Sequence, residues 1–459
     1  MKKISRRSFL LATGTATLAA ALTACGGGES QMDASGSESQ GTEGTETAEI
    51  SVAALASAYT NAYPTMWEDV CAAFTEETGI KVSTLTVEKE LEDVIGPSMQ
   101  SGDFPDVVTL ATGRKKGLTD DFVKNKLIAE VTDVLSLTIP GESVTVGDKL
   151  MDGFIGSVGT NPYGDEKTYL MPMFYTTCGL FYNAGLFAEK GWKVPETWDE
   201  MWELGETANK EGIYLFSYAT PGYFDTFLPT LLMDVGGKEF FDKATHYAEG
   251  IWDTPEAQYC FEVFEKVAKY TNPITPAQAN GTDYMLNQGM ILENKALFMP
   301  NGNWVIGEMA DSPRADNFEW GMTVLPAAKE GGDRYGFVFM EQAWIPAGAA
   351  NVDAAKKFLA FMYSDKAAAI FAQGGAVQPI AGAAEMLEDE TTKALYASFM
   401  DGAKVLMGGF ASYKAEAGLG TVNEVFLQPL NDMVSGKLTR EDWVADVKAA
   451  SDKMRANLL

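Results

Sequence analysis

One histidine, His246, serves the whole chain of 459 residues, set in the polar stretch Lys243-Ala244-Thr245-His246-Tyr247. A lone histidine cannot build a multi-histidine zinc site, and a Ser-His-Asp triad would have to use this residue. The sequence also lacks a Gly-x-Ser-x-Gly elbow, a phosphate loop, a dinucleotide fingerprint and an EF-hand loop. Cysteine is scarce and widely spaced. Beside Cys25 there are Cys71, Cys178 and Cys260, an odd remainder that allows at most one disulfide and has no metal-type spacing. These three read as small core residues. Positive charge is short as well: 35 basic residues against 64 acidic ones give a formal net charge of −29. Such a surface argues against nucleic acid and anionic membrane as partners. The absences together point to binding without catalysis, and no cofactor or metal is expected. A carboxylate pair for glycoside cleavage needs no local motif, so a secreted glycosidase stays open as an alternative of a different class.

The one long apolar run lies at the N-terminus. Lys2, Lys3, Arg6 and Arg7 precede Phe9 to Leu22, a stretch too short and too punctuated by Thr and Gly to span a bilayer comfortably. Residues 1–24 therefore read as a signal peptide. Leu22-Thr23-Ala24-Cys25 resembles the lipobox of bacterial lipoproteins, which implies cleavage before Cys25 and diacylation of that cysteine. Two acyl chains give stable anchoring where one would not. Ser5-Arg6-Arg7-Ser8-Phe9-Leu10 also resembles a twin-arginine signal, and both export routes stay open. Residues 25–48 are polar and Gly-rich, unable to bury enough surface to offset ordering, and read as a tether.

From Glu49 onward short apolar runs alternate with amphipathic stretches, an α/β pattern too long for one ordinary core. Ile50 to Leu55, Ile80 to Val87 and Asp106 to Leu110 read as strands. Trp67, Val70, Cys71 and Phe74 recur at helical spacing before Gly79. Thr197 and Ser364 read as helix caps, and Gly374-Gly375 as a stop.

Six segments in order carry a resemblance. Phe74-x-x-Glu77-Thr78-Gly79-Ile80-Lys81-Val82 comes first, then Phe104-Pro105-Asp106-Val107-Val108, then Tyr169-x-Met171-Pro172 leading to Leu180-Phe181-Tyr182-Asn183. Val194-Pro195-Glu196-Thr197-Trp198-Asp199-Glu200, Asn301-Gly302-Asn303-Trp304 and Ala343-Trp344-Ile345-Pro346 complete the series. From Glu49 to Leu459 the chain resembles the family-one extracellular solute-binding proteins of ABC importers, the group that contains the maltodextrin-binding proteins. The resemblance implies a two-lobed α/β periplasmic-binding-protein fold of type II, with the ligand cleft between lobes. Lobe one would comprise 49–174 plus 341–384, and lobe two 178–338 plus 386–459. Met173 to Cys178 and Phe339 to Gln342 would be the hinges. The implied protein is a monomer that captures a mono- or oligosaccharide. It would deliver that cargo to the transmembrane subunits of an ABC permease and touch the membrane only through its lipid. Segments around Glu341-Gln342 and Gly375-Ala376-Val377-Gln378-Pro379 look closest to the branch associated with N-acetylated aminosugars. Polyamines and iron are cargoes of the same fold and stay open.

A sugar site needs aromatic planes for C–H faces, and acids, amides and arginines for hydroxyls. Trp304 matches the family tryptophan that stacks on sugar, with a core position as the competing reading. Tyr223 and Phe224, in a Pro-Gly loop, match a second aromatic wall. Thr112, Gly113 and Arg114 follow a strand at the edge where ligands gather in open α/β sheets, although Arg114 also fits a surface salt bridge. Tyr59 and Asn61 hold the equivalent place after the first strand. Tyr175 and Thr176 fall where the first hinge faces the cleft; many family members carry an acid there, and Glu341 from the second hinge is its candidate replacement. Gln378 is a further loop candidate.

Overall fold

The computed structural model describes residues 49–55, 63–87, 90–400, 402–414 and 418–458. Cys25, Tyr59 and Asn61, together with the signal and tether segments, lie outside the described residues. The first lobe begins with strand β1 (Glu49–Leu55), helix α1 (Met66–Thr78), strand β2 (Lys81–Val87), helix α2 (Leu91–Gln100) and strand β3 (Val107–Thr109). Helix α1 buries Trp67, Val70, Cys71 and Phe74 on one stripe. It stops at Gly79, whose φ of 74° turns its N–H back onto the Thr75 carbonyl at 2.9 Å.

Strand β4 (Met171–Asn183) leads into the second lobe, where helix α3 (Trp198–Lys210), strand β5 (Tyr214–Phe216) and helix α4 (Phe224–Thr245) follow. The expected cap of α3 is a full capping box: Thr197 Oγ1 accepts from the Glu200 N–H at 3.3 Å, and the Glu200 carboxylate accepts from the Thr197 N–H at 3.2 Å. Strands β6 (Ala296–Gly302), β7 (Trp320–Thr323) and β8 (Arg334–Trp344) come next. The chain then returns through helix α5 (Val352–Phe361) and helix α6 (Asp365–Gln373), which Ser364 caps through the Ala367 N–H at 3.0 Å. Helix α7 (Glu390–Met400), strand β9 (Ala403–Leu406) and helix α8 (Arg440–Ala456) follow.

The sheet order is β2-β1-β3-β8-β4-β6-β5, with β7 on β4 and β9 on β8. Strands β1, β2 and β3 are parallel, whereas β4 and β8 run antiparallel to each other with Phe174 opposite Glu341, Tyr175 opposite Met340 and Thr176 opposite Phe339. Both segments expected as hinges fall in this paired ribbon. β4 continues past it to pair with β6 and β7, and β8 continues the other way to pair with β3. One apolar core packs α1, α5 and α6 beneath the first lobe and runs on to β6, β7 and α7. A second fills the other lobe around Trp198, Phe216, Phe224, Phe264 and Trp443. Cys71, Cys178 and Cys260 are buried free thiols in these cores. Among the described residues no helix is long and apolar enough to cross a membrane.

Candidate functional site

Strand β8 carries two side chains that a buried hinge strand would not need. Phe339 is 42% exposed, and Glu341, two residues along and hence on the same face, is half-buried. The Trp304 ring stands 6.0 Å from Phe339 at 41°, and the Tyr223 ring 6.4 Å from Trp304 at 53°. Three aromatics from three separate elements therefore form one half-open wall. Its geometry depends on Gly302. A Cβ at that position would lie 2.0 Å from the Trp304 ring, so glycine lets the indole lie over the backbone at the end of β6. Asn301 and Asn303 fix the segment. Asn301 Nδ2 donates to Gln288 Oε1 at 2.7 Å, the Asn303 N–H donates to the Thr177 carbonyl at 3.1 Å, and Asn303 Nδ2 donates to the Tyr396 hydroxyl at 3.2 Å. Tyr396 in turn donates to the Tyr175 carbonyl at 2.7 Å, tying the aromatic wall to the hinge ribbon.

The loop after β3 brings the charged groups. Thr112 donates through N–H and Oγ1 to Gln342 Oε1 at 2.7 and 3.1 Å, and Gln342 Nε2 donates to the Gly159 carbonyl. Gly113, at φ 75°, turns the chain and gives its N–H to both Asp120 oxygens at 3.1 and 3.0 Å. Arg114 Nε then meets Glu92 Oε1 at 2.8 Å; its side chain stays 30% exposed while that of Glu92 is 6% exposed. Glu92 Oε2 is buried without a hydrogen-bond partner. Burial raises the Glu341 carboxyl, Arg114 draws it back down and Glu92 pushes it up, which places all three in one electrostatic neighbourhood. In the first turn of α4, burial pushes Asp225 up to about 6, partly offset by the N–H groups of Thr226 and of Asp225 itself. Its side chain is nonetheless exposed to solvent. Burial also raises the Tyr223 hydroxyl, with Glu308 and Asp225 adding to the effect and a hydrogen bond with Trp304 opposing it.

The model of the bacterial extracellular solute-binding protein family matches residues 56–369. The chain belongs to this family. The diacetylchitobiose binding protein NgcE of Streptomyces coelicolor is 30% identical over 244 residues, 50% of this chain and 49% of that relative. The maltotriose-binding protein of Pyrococcus abyssi is 29% identical over 196 residues, 42% of this chain and 39% of that one. This solute-binding protein thus spans about half the length, or less, of these curated relatives. Apo RafE from Streptococcus pneumoniae shares the fold, with a TM-score of 0.67 at 18% identity, covering 89% of this chain and 98% of RafE.

In this solute-binding protein, Trp304, Tyr223, Thr112, Gly113, Arg114 and Glu341 gather around the β4–β8 ribbon, and Thr176 lies half-buried opposite Phe339. Three other candidates belong to packing instead. Phe224 is fully buried against Tyr218, Phe227 and Phe264. Tyr175 is 2% exposed, its ring edge-on to Phe154 and Tyr396. Gln378 is 1% exposed and donates to the Met362 carbonyl at the end of α5. Asp225, Glu92 and Phe339 join the site without having been singled out in the sequence. A cavity of about 260 Å³ opens at the opposite edge of the first lobe, beside Ser51 and Phe104. Its buried carboxylate, Asp106, one of three acidic residues in the lining, is already bonded to the Ser51 and Asn351 N–H groups, each at 2.9 Å.

Proposed function

We propose that this chain is the solute receptor of an ABC importer and that its cargo is a mono- or oligosaccharide held between the lobes. The observation that carries the reading is the continuity of Tyr223, Trp304 and Phe339 with Glu341 and Arg114 around one strand face. Aromatic planes cover the apolar C–H face of a pyranose, while carboxylates and a guanidinium take its hydroxyls. The named ligands of the relatives, diacetylchitobiose and maltotriose, support the carbohydrate class, and the first favours an N-acetylated aminosugar. Closure of the lobes about the β4–β8 ribbon traps the sugar and presents a closed shape to the permease. Capture proceeds without turnover. The lobes divide as 49–174 plus 341–384 and 178–338 plus 386–459, and acylation at Cys25 holds the receptor on the outer face of the membrane.

Isothermal titration of the full-length chain in detergent against N,N′-diacetylchitobiose, maltotriose, raffinose and galactose, with spermidine and iron(III) as controls, tests this. Saturable binding of one sugar class, with that sugar recovered unchanged, is the expected result. Binding of a control alone would overturn the cargo class, and hydrolysis of the sugar would overturn the function.

A further inference from the structure

The charges around the cleft are unevenly matched. On the second lobe, Asp225 and Glu308 both act on the Tyr223 hydroxyl, and Glu308 accepts from the Gln288 amide at 3.2 Å. On the first, a single guanidinium, Arg114, sits among Glu92 and Glu341 and is bonded to Glu92 at 2.8 Å. Lys115 and Lys116 extend the same loop, and Lys116 is bridged to Glu90 at 3.2 Å and to Asp93. Among the described residues no salt bridge joins Asp225, Glu308 or Glu341 to a lysine or arginine. The second observation is Glu92 itself: 7% exposed, with Oε2 buried and unpartnered, an acceptor that only a donor can satisfy.

We infer that the cleft sorts sugars by charge, admitting neutral and ammonium-bearing ones and rejecting their carboxylate or phosphate counterparts, with Asp225 and Glu341 setting the discrimination. This rests on the carbohydrate reading above. A hydroxyl or ammonium offers hydrogens to these carboxylates. The ionised group of a uronate or sugar phosphate offers only lone pairs and a like charge, and the charge of the nearby Arg114 guanidinium is already opposed by Glu92 and Glu341. Closure strengthens the discrimination, because removing water from between like charges removes the screening that made them tolerable. Burial raises both carboxyls, Asp225 to about 6, so Asp225 is ionised near pH 7.5 and its repulsion is present there.

The test is titration of the full-length chain near pH 7.5 with matched series: N,N′-diacetylchitobiose, chitobiose and N,N′-diacetylchitobiose 6-phosphate, then galactose, galactosamine and galacturonate. In the series that binds, the anionic member should be weaker than the neutral one by about ten-fold or more, and the ammonium member within about three-fold or tighter. The variant Asp225→Asn with Glu341→Gln should shrink the anion penalty to about three-fold or less, with circular dichroism as the fold control. If that variant does not fold, the wild-type penalty should shrink with added salt instead. An anion bound as well as its neutral parent overturns the sorting and leaves the carbohydrate reading standing. An undiminished penalty in the folded double variant, or one indifferent to salt, removes the assignment to these acids. If no sugar binds, the carbohydrate reading fails and the sorting falls with it.

Discussion

Replacing Trp304 with alanine removes a ring that the protein covers only in part. The indole is half-buried, tilted against Tyr223 and Phe339 and seated over Gly302. Trp198, by contrast, is 1% exposed and stacked on Trp202 at 5.2 Å. Truncating a fully packed tryptophan costs about 3–5 kcal/mol of stability. For Trp304 the protein-side loss is two tilted aromatic contacts, each about 0.5–1.5 kcal/mol. The ligand-side loss, a sugar face stacked on the free side of the ring, should exceed about 1.4 kcal/mol, or ten-fold in affinity. Calorimetric titration and thermal melting of Trp304→Ala and Trp198→Ala separate the two effects. Trp304→Ala should lose at least about ten-fold in affinity with a melting shift well below that of Trp198→Ala. Gly302→Ala should imitate it, since the added methyl displaces the indole without deleting it. Unchanged affinity in Trp304→Ala, or destabilisation matching Trp198→Ala, would refute the platform and make the indole a packing residue.

Asp225 gives a prediction with a definite sign. Its carboxyl is raised from 3.8 to about 6 by burial, so the native state holds that proton more tightly than the unfolded chain. The stability this adds is full below the ordinary carboxylate range and lost as pH rises through about 6. Asp225→Asn should therefore melt above the parent near pH 7.5 and level with it near pH 4, while binding sugar less well; a melting gain independent of pH would contradict the raised carboxyl. Cys25→Ser should leave the protein in the soluble fraction, and continued partition into detergent would exclude acylation at that residue. Burial raises the thiols of Cys71, Cys178 and Cys260, Cys71 to about 12. All three should resist an aromatic disulfide reagent until denaturant is added, and native-state reaction of any one would refute its burial.

What was legible in the sequence was local. The α1 stripe with its Gly79 stop and the Thr197 and Ser364 caps each depend on residues a few positions apart. Phe224 misled because a Pro-Gly dipeptide suggested a loop. A short turn at Pro221–Tyr223 passes straight into α4, making Phe224 the first helical residue, and its stripe runs on through Phe227, Leu228 and Leu231. That three- and four-residue spacing was present in the sequence and outranked the dipeptide. Tyr175 was lost to strand parity: its neighbour Thr176 shares the cross-strand position of Phe339, which turns Tyr175 the other way into the core. Glu92 and Asp225 carried no local signal. Each is one acid among 64, and only the fold singles it out, next to Arg114 in one case and near the Tyr223 hydroxyl in the other.

The paired strands β4 and β8 have a mechanical consequence. Two separate crossing threads could bend independently, letting the lobes part, slide or swing. Hydrogen-bonded side by side from Phe174 to Cys178 and from Phe337 to Glu341, the two strands behave as a torsion bar. Twisting is the soft deformation of a two-stranded ribbon, whereas splaying it breaks ladder bonds. Phe339 and Glu341 both sit on that bar. In the closure proposed above, a solute resting on them would load the axle of that movement directly, before its far end met the opposite wall.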